Sequence, residues 1–523
     1  MFAKKILHNL KVSSHKKNLF IIPQRYVLGI MGFLAIVNAY TMRVTLNIAI
    51  TEMVIPVNES IHPDPEACVV EDDSSSHSDK PLHPEHLYPW DRETQGIILS
   101  SFYWGYLITH LPGGILAERF GGKYTLGLGI LSTAVFTLIT PTVIHLSDGK
   151  WQVLVALRVI EGLGEGTTYP AINTLLAQWV PLHERAKIGS LVYAGGQIGT
   201  VLSNLVSGAL IQATNDWSSV FYVFGGIGVL WFVLFTLICY STPEDHPFIS
   251  DEEKSYLKKE LDNVSKEKLP IPWVAILTSI PLWALVCAQV GHDWGFYTMV
   301  TDLPTYFKDV LKSNIGENGV WSSLPYIVMW TVSMVSGYLC DWLIRKNYMT
   351  VTFSRKFFTT LGECVHMEWK KYDFYRIALA ASVGPAIFLV LASYSGCDRV
   401  LSVSMFTIGM GFMGTFYCGM KVNALDLSPN FAGTLMAIVN GVGAITGIIS
   451  PYIAGSLTAN HTKAEWRIVF WISFAIFNVT NLIYLFFASG EEQWWNNPKR
   501  NAVDNAEKGE NSIPMESKNE QIQ

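Results

Sequence analysis

Residues 151–187 read WQVLVALRVIEGLGEGTTYPAINTLLAQWVPLHERAK. Most of this stretch is apolar and it is long enough to cross a bilayer, yet its first half holds Arg158, Glu161 and Glu165. A charge at bilayer depth costs about 2.5–3.5 kcal/mol on insertion scales, so these three must be paired or hydrated. The stretch therefore predicts a membrane helix with one polar face turned towards a protein interior.

Helical geometry places these charges on one face, because residues i, i+3, i+4 and i+7 of a helix lie close together. Arg158, Glu161, Gly162, Glu165 and Tyr169 form one stripe, and apolar residues cover the other faces. We interpret the stripe as the wall of a water-filled cavity, in which an arginine binds an anion beside a carboxylate that exchanges protons. A purely structural network of buried ion pairs is the alternative.

The composition extends this interpretation to the whole chain. Half of the 523 residues are hydrophobic and only 15% are charged, whereas about 25% is usual in a soluble protein. Apolar runs of about 18 or more residues recur, which predicts an all-α membrane protein with many spans. The net charge of −6 lies mainly in connecting segments and gives no basic footprint for nucleic acid. No catalytic grouping, phosphate loop or zinc-type cysteine spacing is present, so we expect no enzyme, no cofactor and no metal site.

The apolar runs predict twelve spans in two groups of six, separated by a polar stretch at residues 241–272. The first six lie near residues 26–54, 95–116, 124–146, 152–176, 188–212 and 217–240, and the second six near 281–303, 319–344, 376–395, 399–420, 431–457 and 467–488. The predicted organisation is a tail (1–25), a first six-helix half (26–240) with an external loop at 55–92, a central loop (241–272), a second half (273–490) and a disordered tail (491–523).

Lysine and arginine are concentrated in alternate connections, which the positive-inside rule assigns to the cytoplasm. Arg119 and Lys123 lie in the first of these connections, whereas the 55–90 segment on the other side has only Lys80 among many acids. Both termini are therefore predicted to be cytoplasmic. Asn58 begins the external sequence Asn-Glu-Ser and is a candidate glycosylation site.

The two halves repeat one motif. After span 2 the chain reads GILAERFGGK (114–123), and after span 8 it reads GYLCDWLIRK (337–346), both with the spacing G-x-L-x-[DE]…K. Matching connections in two six-helix halves are typical of a transporter whose halves move around a central site. The candidate gating residues are Gly114, Glu118, Arg119, Lys123, Gly337 and Asp341.

Three longer stretches carry a family resemblance: SSFYWGYLITHLPGGILAERFGGK (100–123), RVIEGLGEGTTYPAINTLLAQWVPLHERAK (158–187) and DWGFYTMVTDLPTYFKDVL (293–311). They resemble the major facilitator superfamily and, within it, solute carrier family 17: sialin, the vesicular glutamate transporters and the type I sodium–phosphate cotransporters. The resemblance runs from about residue 25 to 495 and is greatest for an insect branch of inorganic phosphate cotransporters. It implies twelve helices in two pseudo-symmetric halves and alternating-access transport. Residues 361–381 depart from the family pattern, which leaves the register of span 9 open.

Span 1 supplies a second arginine. Tyr40, Arg43 and Asn47 share one helical face, and Arg43 is the only charge between Arg25 and Glu52. A guanidinium suits a carboxylate or phosphate because it donates through two parallel N–H groups. A structural pair between Arg43 and a span 4 glutamate is the alternative.

The family resemblance adds roles for these and other residues. It implies that Arg43 and Arg158 serve the anionic substrate and that Glu165, with Glu161, is the coupling carboxylate. Span 11 residue Asn440 resembles an asparagine that faces the substrate cavity. His292, where the glutamate transporters have an arginine, is a further candidate for proton or cation coupling because histidine titrates near neutral pH, and a helix-packing histidine is the alternative. The other candidates are His110, where relatives have glutamine, and Lys421, whose position near the cytoplasmic edge suits either gating or simple interfacial anchoring.

We therefore predict a secondary active symporter of small anions, inorganic phosphate or organic anions, coupled to Na⁺ or H⁺ and working as a monomer in the lipid bilayer. A sialin-like, H⁺-coupled transporter of acidic sugars or amino acids is the alternative, and a non-transporting receptor or scaffold on the same fold is the alternative from another class. Neither tail holds an acidic dileucine signal, which favours the plasma membrane over lysosomes or vesicles.

Overall fold

The structure, a computed structural model, describes residues 22–55, 87–262, 271–361 and 384–496. Over these ranges the chain forms a bundle of α-helices, and helix is present at the position of every predicted span. The all-α prediction is confirmed. Asn58, most of both tails and nearly all of the 361–381 segment lie outside the described residues. The tail from residue 491 was predicted to be disordered, but its described part contains the 3-10 turn Trp494–Asn496, in which Trp495 is buried.

In the first half, four spans are single helices: span 1 is Gln24–Met53, span 2 Arg92–Phe120, span 3 Gly122–Leu146 and span 6 Ser218–Ile238. Spans 4 and 5 are each broken once. Span 4 consists of Trp151–Glu165 and Thr168–Trp179, and span 5 of Leu182–Tyr193 and Gly195–Thr214. The break in span 4 follows the glycine-rich GLGEG sequence, because glycine is a poor helix former. A polar helix, Asp251–Asp262, follows span 6.

The second half begins with the short helix Trp273–Leu277. Span 7 is Ile280–Asp309, span 8 Ile315–Arg345 and span 9 Gly384–Tyr394, with the helix Val351–Leu361 between spans 8 and 9. Span 10 consists of Arg399–Gly414, the 3-10 turn Thr415–Tyr417 and Met420–Leu427. Span 11 consists of Ala432–Gly443 and Thr446–Leu457, and span 12 is Lys463–Phe487.

Seven segments of the described chain are long and apolar enough to cross a membrane, and they correspond to spans 1, 3, 6, 8, 10, 11 and 12. Span 9 is described over only eleven residues. Spans 2, 4, 5 and 7 carry more polar residues, and they hold the interior groups described below. A span that faces protein on several sides needs less apolar surface than one that faces lipid.

The two halves meet at the end of the bundle where Met53, Arg92, Asp309 and Ile315 lie, which we call the closed end. A Cβ atom on Gly96 would lie 2.6 Å from the carbonyl oxygen of Pro451, so spans 2 and 11 touch backbone to backbone. Gly208 and Gly319 bring spans 5 and 8 together in the same way. Small residues permit such close approach between membrane helices.

Ion pairs at the opposite end join residues of the same half. Arg25 pairs with Glu184 at 2.8 Å and with Glu253 at 3.2 Å within the first half. Arg355 pairs with Asp426 at 2.7 Å within the second. The halves are therefore held together chiefly at the closed end, and we call the other end the open end.

Asp91 caps the first turn of span 2, since its carboxylate accepts a hydrogen bond from the backbone N–H of Thr94 at 2.9 Å. The hydroxyl and backbone N–H of Thr94 lower the pKa of this carboxyl. Asp91→Ala is expected to reduce the free energy of unfolding by about 1 kcal/mol, while Asp91→Asn retains most of it. The carboxylate contributes stability above its ordinary pKa, and that stability is lost as the pH falls through the lowered value. Thermal unfolding of the detergent-solubilised protein measures both effects, and equal losses in the two variants would contradict the capping role.

Candidate functional site

Glycines bring spans 2 and 4 into backbone contact. A Cβ atom on Gly105 would collide with the carbonyl oxygen of Val159, and one on Gly162 would collide with that of Phe102. This approach sets the face of span 4 that carries the predicted stripe directly against span 2. The Phe102 ring consequently lies 4.8 Å from the guanidinium carbon of Arg158.

One ion pair joins spans 1 and 4, and a second lies within span 4. Arg43 pairs with Glu165, and Arg158 donates to Glu161 at 2.7 Å. Arg158 also donates to the backbone carbonyl of Arg43 at 3.0 Å, which links the two pairs. All four residues are at most 4% exposed. Two positive and two negative charges therefore cancel in a buried position, where an unpaired charge would be costly.

Hydroxyl groups and aromatic rings support these pairs. Glu161 accepts hydrogen bonds from Thr137 at 3.3 Å and from Thr140 at 3.5 Å. The Arg43 guanidinium carbon lies 4.5 Å from the Tyr40 ring centroid and 5.0 Å from each of those of Phe102 and Tyr106. Rings at these distances stabilise a cation through their quadrupoles. The site thus has an aromatic lining that also suits the apolar part of an organic molecule.

Three buried polar atoms of the cluster have no hydrogen-bond partner among the described residues. Glu165 Oε2, Arg43 Nε and Arg158 Nε are buried and make no hydrogen bond to the described residues. Buried polar atoms are normally satisfied, and exceptions are frequent where a ligand binds. The arrangement can therefore accept an additional group that brings both donors and acceptors.

The other predicted substrate residues of the first half divide into two groups. The hydroxyls of Tyr40 and Tyr169 lie 3.0 Å apart, next to the arginines, as the stripe predicts. Asn47 instead donates to the backbone carbonyl of Val300 at 2.7 Å and is buried between spans 1 and 7. Its present partner is thus the opposite half of the protein, because the halves touch there.

His110 and the repeated motifs have modest roles in this structure. The His110 ring stacks on Tyr106, with ring centroids 5.1 Å apart, so it lies one helical turn from the arginine cluster.

In the first of the repeated motifs Lys123 is buried over the Tyr240 ring at 4.0 Å. In the second motif Asp341 is exposed. The two motifs are alike in sequence but differ in surroundings. In the first motif Arg119 is exposed and Gly114 faces Pro170, and the Glu118 side chain lies outside the described part. In the second motif a Cβ atom on Gly337 would meet no other atom within 4 Å.

The second half contributes its own polar group. Lys421 donates to the side-chain oxygen of Asn440 at 3.0 Å. The charges of Lys421 and Asp293 act on each other, and Asp293 also lies against Gly443 in span 11. Lys421 follows the 3-10 turn Thr415–Tyr417 of span 10, and its ammonium group is directed at span 11. Gating and interfacial anchoring both remain predictions for this lysine.

His292 packs among aromatic rings. Its centroid lies 4.0 Å from that of Phe416, in a parallel stack, and 5.8 Å from that of Tyr417. Tyr297, one turn further along span 7, meets Tyr103 of span 2 with centroids 4.7 Å apart. The aromatic lining is therefore continuous between the two halves, from Arg43 to His292.

Sequence reasoning missed a charged cluster at the closed end. Arg92 of span 2 pairs with Asp309 of span 7, and it donates to Nδ1 of His461 at 3.2 Å. Lys308 pairs with Glu52 at 2.9 Å in the same region. Both pairs cross between the halves. The sequence carries no signal for them, since a charge at the end of a span is ordinary in a membrane protein.

The aromatic lining could have been predicted from the spacing of aromatic residues in span 2. Phe102, Tyr106 and His110 recur every four residues on span 2, so they share one face. Projecting span 2 in the same way as span 4 would have placed this face beside the arginines. Gly105, on the neighbouring face, would have indicated which helix packs there.

Removing the closed-end ion pair should open that end. Asp309→Asn leaves Arg92 without its negative partner, and a state in which the halves separate then becomes more populated. A cysteine placed at buried Leu99 should react with an impermeant maleimide at least about tenfold faster, which corresponds to ~1.4 kcal/mol. Asp148→Asn is the matched control, because Asp148 is exposed and its left-handed backbone is one that asparagine accepts. Unchanged labelling in Asp309→Asn would refute the gating role of the pair.

Comparison with known proteins gives consistent matches over nearly the whole chain. The Major Facilitator Superfamily model matches residues 28–451. The "Putative inorganic phosphate cotransporter" of Drosophila melanogaster is 38% identical over 91% of this chain and 87% of its own. Human sialin is 40% identical over 90% of each chain, and human vesicular glutamate transporter 2 is 32% identical over 92% of this chain and 76% of its own.

A solved structure matches the fold. It is a bacterial homolog to the human lysosomal transporter Spinster, in an inward-facing and occupied conformation. The TM-score is 0.61 at 12% identity, over 89% of this chain and 97% of the other. At that identity the likeness concerns the fold alone.

Proposed function

Because this chain belongs to the major facilitator superfamily and, within it, to solute carrier family 17, we propose that it carries small anions across a membrane together with protons. As a member of this family it is a multi-pass membrane transporter and not an enzyme. The predicted fold and family are confirmed. The coupling ion, the substrate and the site residues belong to the proposal.

One observation carries the proposal: each arginine of the cluster is already neutralised by its own glutamate. Arg43 holds Glu165, and Arg158 holds Glu161, all inside the protein. A substrate anion that binds Arg43 has to compete with the Glu165 carboxylate. Protonation of Glu165 removes that competitor and releases the guanidinium. Binding of the anion and binding of a proton therefore favour each other.

This competition gives symport. A protonated Glu165 with an anion on Arg43 has the same net charge as the empty pair, so the loaded site also avoids a buried net charge. An anion without a proton, or a proton without an anion, leaves one uncompensated charge. The halves then exchange the closed and open ends only when the site is empty or carries both partners.

Two substrate classes remain open, and each has support. Relatives named for inorganic phosphate cotransport match most of the chain, which favours inorganic phosphate. The aromatic lining formed by Tyr40, Phe102, Tyr103 and Tyr106 favours an organic anion with a sugar or other apolar body.

We place the open end at the cytoplasm and the closed end outside. The concentration of lysine and arginine on the side of the N-terminal tail supports this orientation. We also propose residence in the plasma membrane and function as a monomer, which surface biotinylation and cross-linking would test.

Uptake of radiolabelled phosphate into cells that express the intact chain tests the function. We would compare external pH 5.5 with pH 7.4, with and without Na⁺, and use Arg43→Ala as the inactive reference. Uptake that rises with external acid, needs no Na⁺ and is lost in Arg43→Ala is the expected result. Sialic acid, glucuronate and glutamate would be assayed in parallel as organic anions.

The controls separate coupling from expression. Surface biotinylation gives the amount of each variant at the membrane. Uptake that requires Na⁺ and is indifferent to pH would overturn proton coupling. No uptake of any of these anions, with the protein at the surface, would overturn anion transport and favour the scaffold alternative.

A further inference from the structure

The second half places a cation opposite the arginine cluster. Lys421 lies in the first turn of the helix Met420–Leu427, immediately after the break in span 10. Its ammonium group donates to Asn440 of span 11 at 3.0 Å. Spans 7, 10 and 11 therefore converge on one polar position within the membrane-spanning bundle.

The surroundings of Lys421 differ from those of the arginines. Arg43 and Arg158 each touch a carboxylate directly, whereas the only hydrogen-bond partner of Lys421 within the described residues is a neutral amide. Asp293 acts on Lys421 electrostatically without forming an ion pair within 4.0 Å among those residues. An ammonium has three protons to donate, so a group with one amide partner keeps capacity for an anionic oxygen.

Lys421 also belongs to the same lined space as Arg43. Tyr417, four residues earlier in span 10, lies against His292 of span 7, with ring centroids 5.8 Å apart. Tyr297 of span 7 contacts Tyr103 of span 2, and the Tyr103 ring centroid lies 6.0 Å from the guanidinium carbon of Arg43. The aromatic residues thus connect the two cationic positions across the boundary between the halves.

Given the proposed anion transport, on which this inference rests, we propose that Lys421 binds a second acidic group of the substrate. The preferred substrate is then a dianion, a dicarboxylate or hydrogen phosphate, with one negative charge on Arg43 and the other on Lys421. Asn440 positions the ammonium group, and Asp293 is its counter-charge when no substrate is bound.

Charge balance supports this assignment. Arg43, Arg158 and Lys421 are matched by Glu161, Glu165 and Asp293, so the empty site is neutral. A dianion adds two negative charges, and protonation of Glu165 and Asp293 restores neutrality. A lysine suits this role because its flexible stem allows the ammonium group to turn from Asn440 to the substrate.

The test is anion binding to the intact protein, measured as ligand-dependent thermal stabilisation at about pH 7.5. Succinate and butyrate form a matched pair, since both have four carbons but only succinate has a second carboxylate. Inorganic phosphate is the third probe and separates a phosphate site from a dicarboxylate site. The variants are Lys421→Gln, Lys421→Arg and the control Lys258→Gln, whose lysine is exposed on the polar helix Asp251–Asp262.

We expect the wild type and Lys258→Gln to bind succinate, phosphate or both at least about tenfold more tightly than butyrate, as the loss of one ionic contact implies. Lys421→Gln should lose this preference while its affinity for butyrate stays the same, which also shows that the variant is folded. Lys421→Arg should keep part of the preference.

Two results would overturn the assignment and they are distinguishable. Lys421 does not bind a second negative charge if Lys421→Gln keeps the preference of the wild type for the dianion. The same conclusion follows if the wild type binds butyrate as tightly as it binds succinate and phosphate. If the wild type neither binds nor transports any of the anions, the proposed function fails and the assignment fails with it.

Discussion

Glu165→Gln is expected to abolish pH-driven anion uptake while the protein still reaches the membrane. The amide has the shape of a protonated carboxyl group and cannot exchange a proton at this position. Arg43 then has no carboxylate to hold and is free for an anion at every pH. We therefore expect anion binding that is at least about tenfold tighter at neutral pH and depends much less on pH.

The combination of tighter binding and lost uptake distinguishes this prediction from simple damage. A variant that misfolds would lose both. Glu252→Gln is the matched control, because Glu252 is exposed on the polar helix outside the spans and its uptake should equal that of the wild type. Proton-driven uptake at the wild-type rate in Glu165→Gln would show that another group carries the proton.

The second large effect concerns stability. Arg158→Met leaves Glu161 as a buried carboxylate, with only Thr137 and Thr140 as side-chain partners at its oxygen Oε1. Breaking one side of a buried ion pair typically costs about 3–5 kcal/mol. We expect Arg158→Met to lower the thermal unfolding midpoint and the surface expression of the protein sharply.

The double variant Arg158→Met/Glu161→Met should recover most of that stability. Replacement of both charges by apolar side chains of similar volume is often neutral. Transport should nevertheless be lost in both variants, because the arginine is absent. A double variant as unstable as the single one would show that the pair is held by more than charge balance, and thermal unfolding of the purified proteins distinguishes the two cases.

The part of the site that lies on one helix could be predicted from the sequence. Arg158, Glu161 and Glu165 share a stripe because helical periodicity alone determines it. The partner of Arg43 could be offered only as an alternative, since the choice of glutamate depends on how spans 1 and 4 pack. The contact of Lys421 with Asn440 could not be predicted, because it depends on how spans 10 and 11 pack.

Contacts between the two halves could not be predicted from the sequence, for a different reason. Asn47 was predicted to contact substrate, and in this structure its amide contacts Val300 instead. Arg92, Asp309 and His461 are far apart in the chain, and each alone is unremarkable. In the proposed cycle such contacts would form in one state only, whereas a sequence has to serve all of the states.

The cancellation of charges in the empty site has a consequence for energetics at the cell membrane. Moving one elementary charge through the full membrane potential changes the free energy by about 2.3 kcal/mol per 100 mV. The paired arginines and glutamates, with Lys421 and Asp293, contribute no net charge to the return of the empty carrier. Membrane voltage therefore does not act on these residues in that step. The empty carrier would then return at the same rate at different membrane potentials. Under the proposed proton symport, the proton gradient alone would determine how far the anion is concentrated.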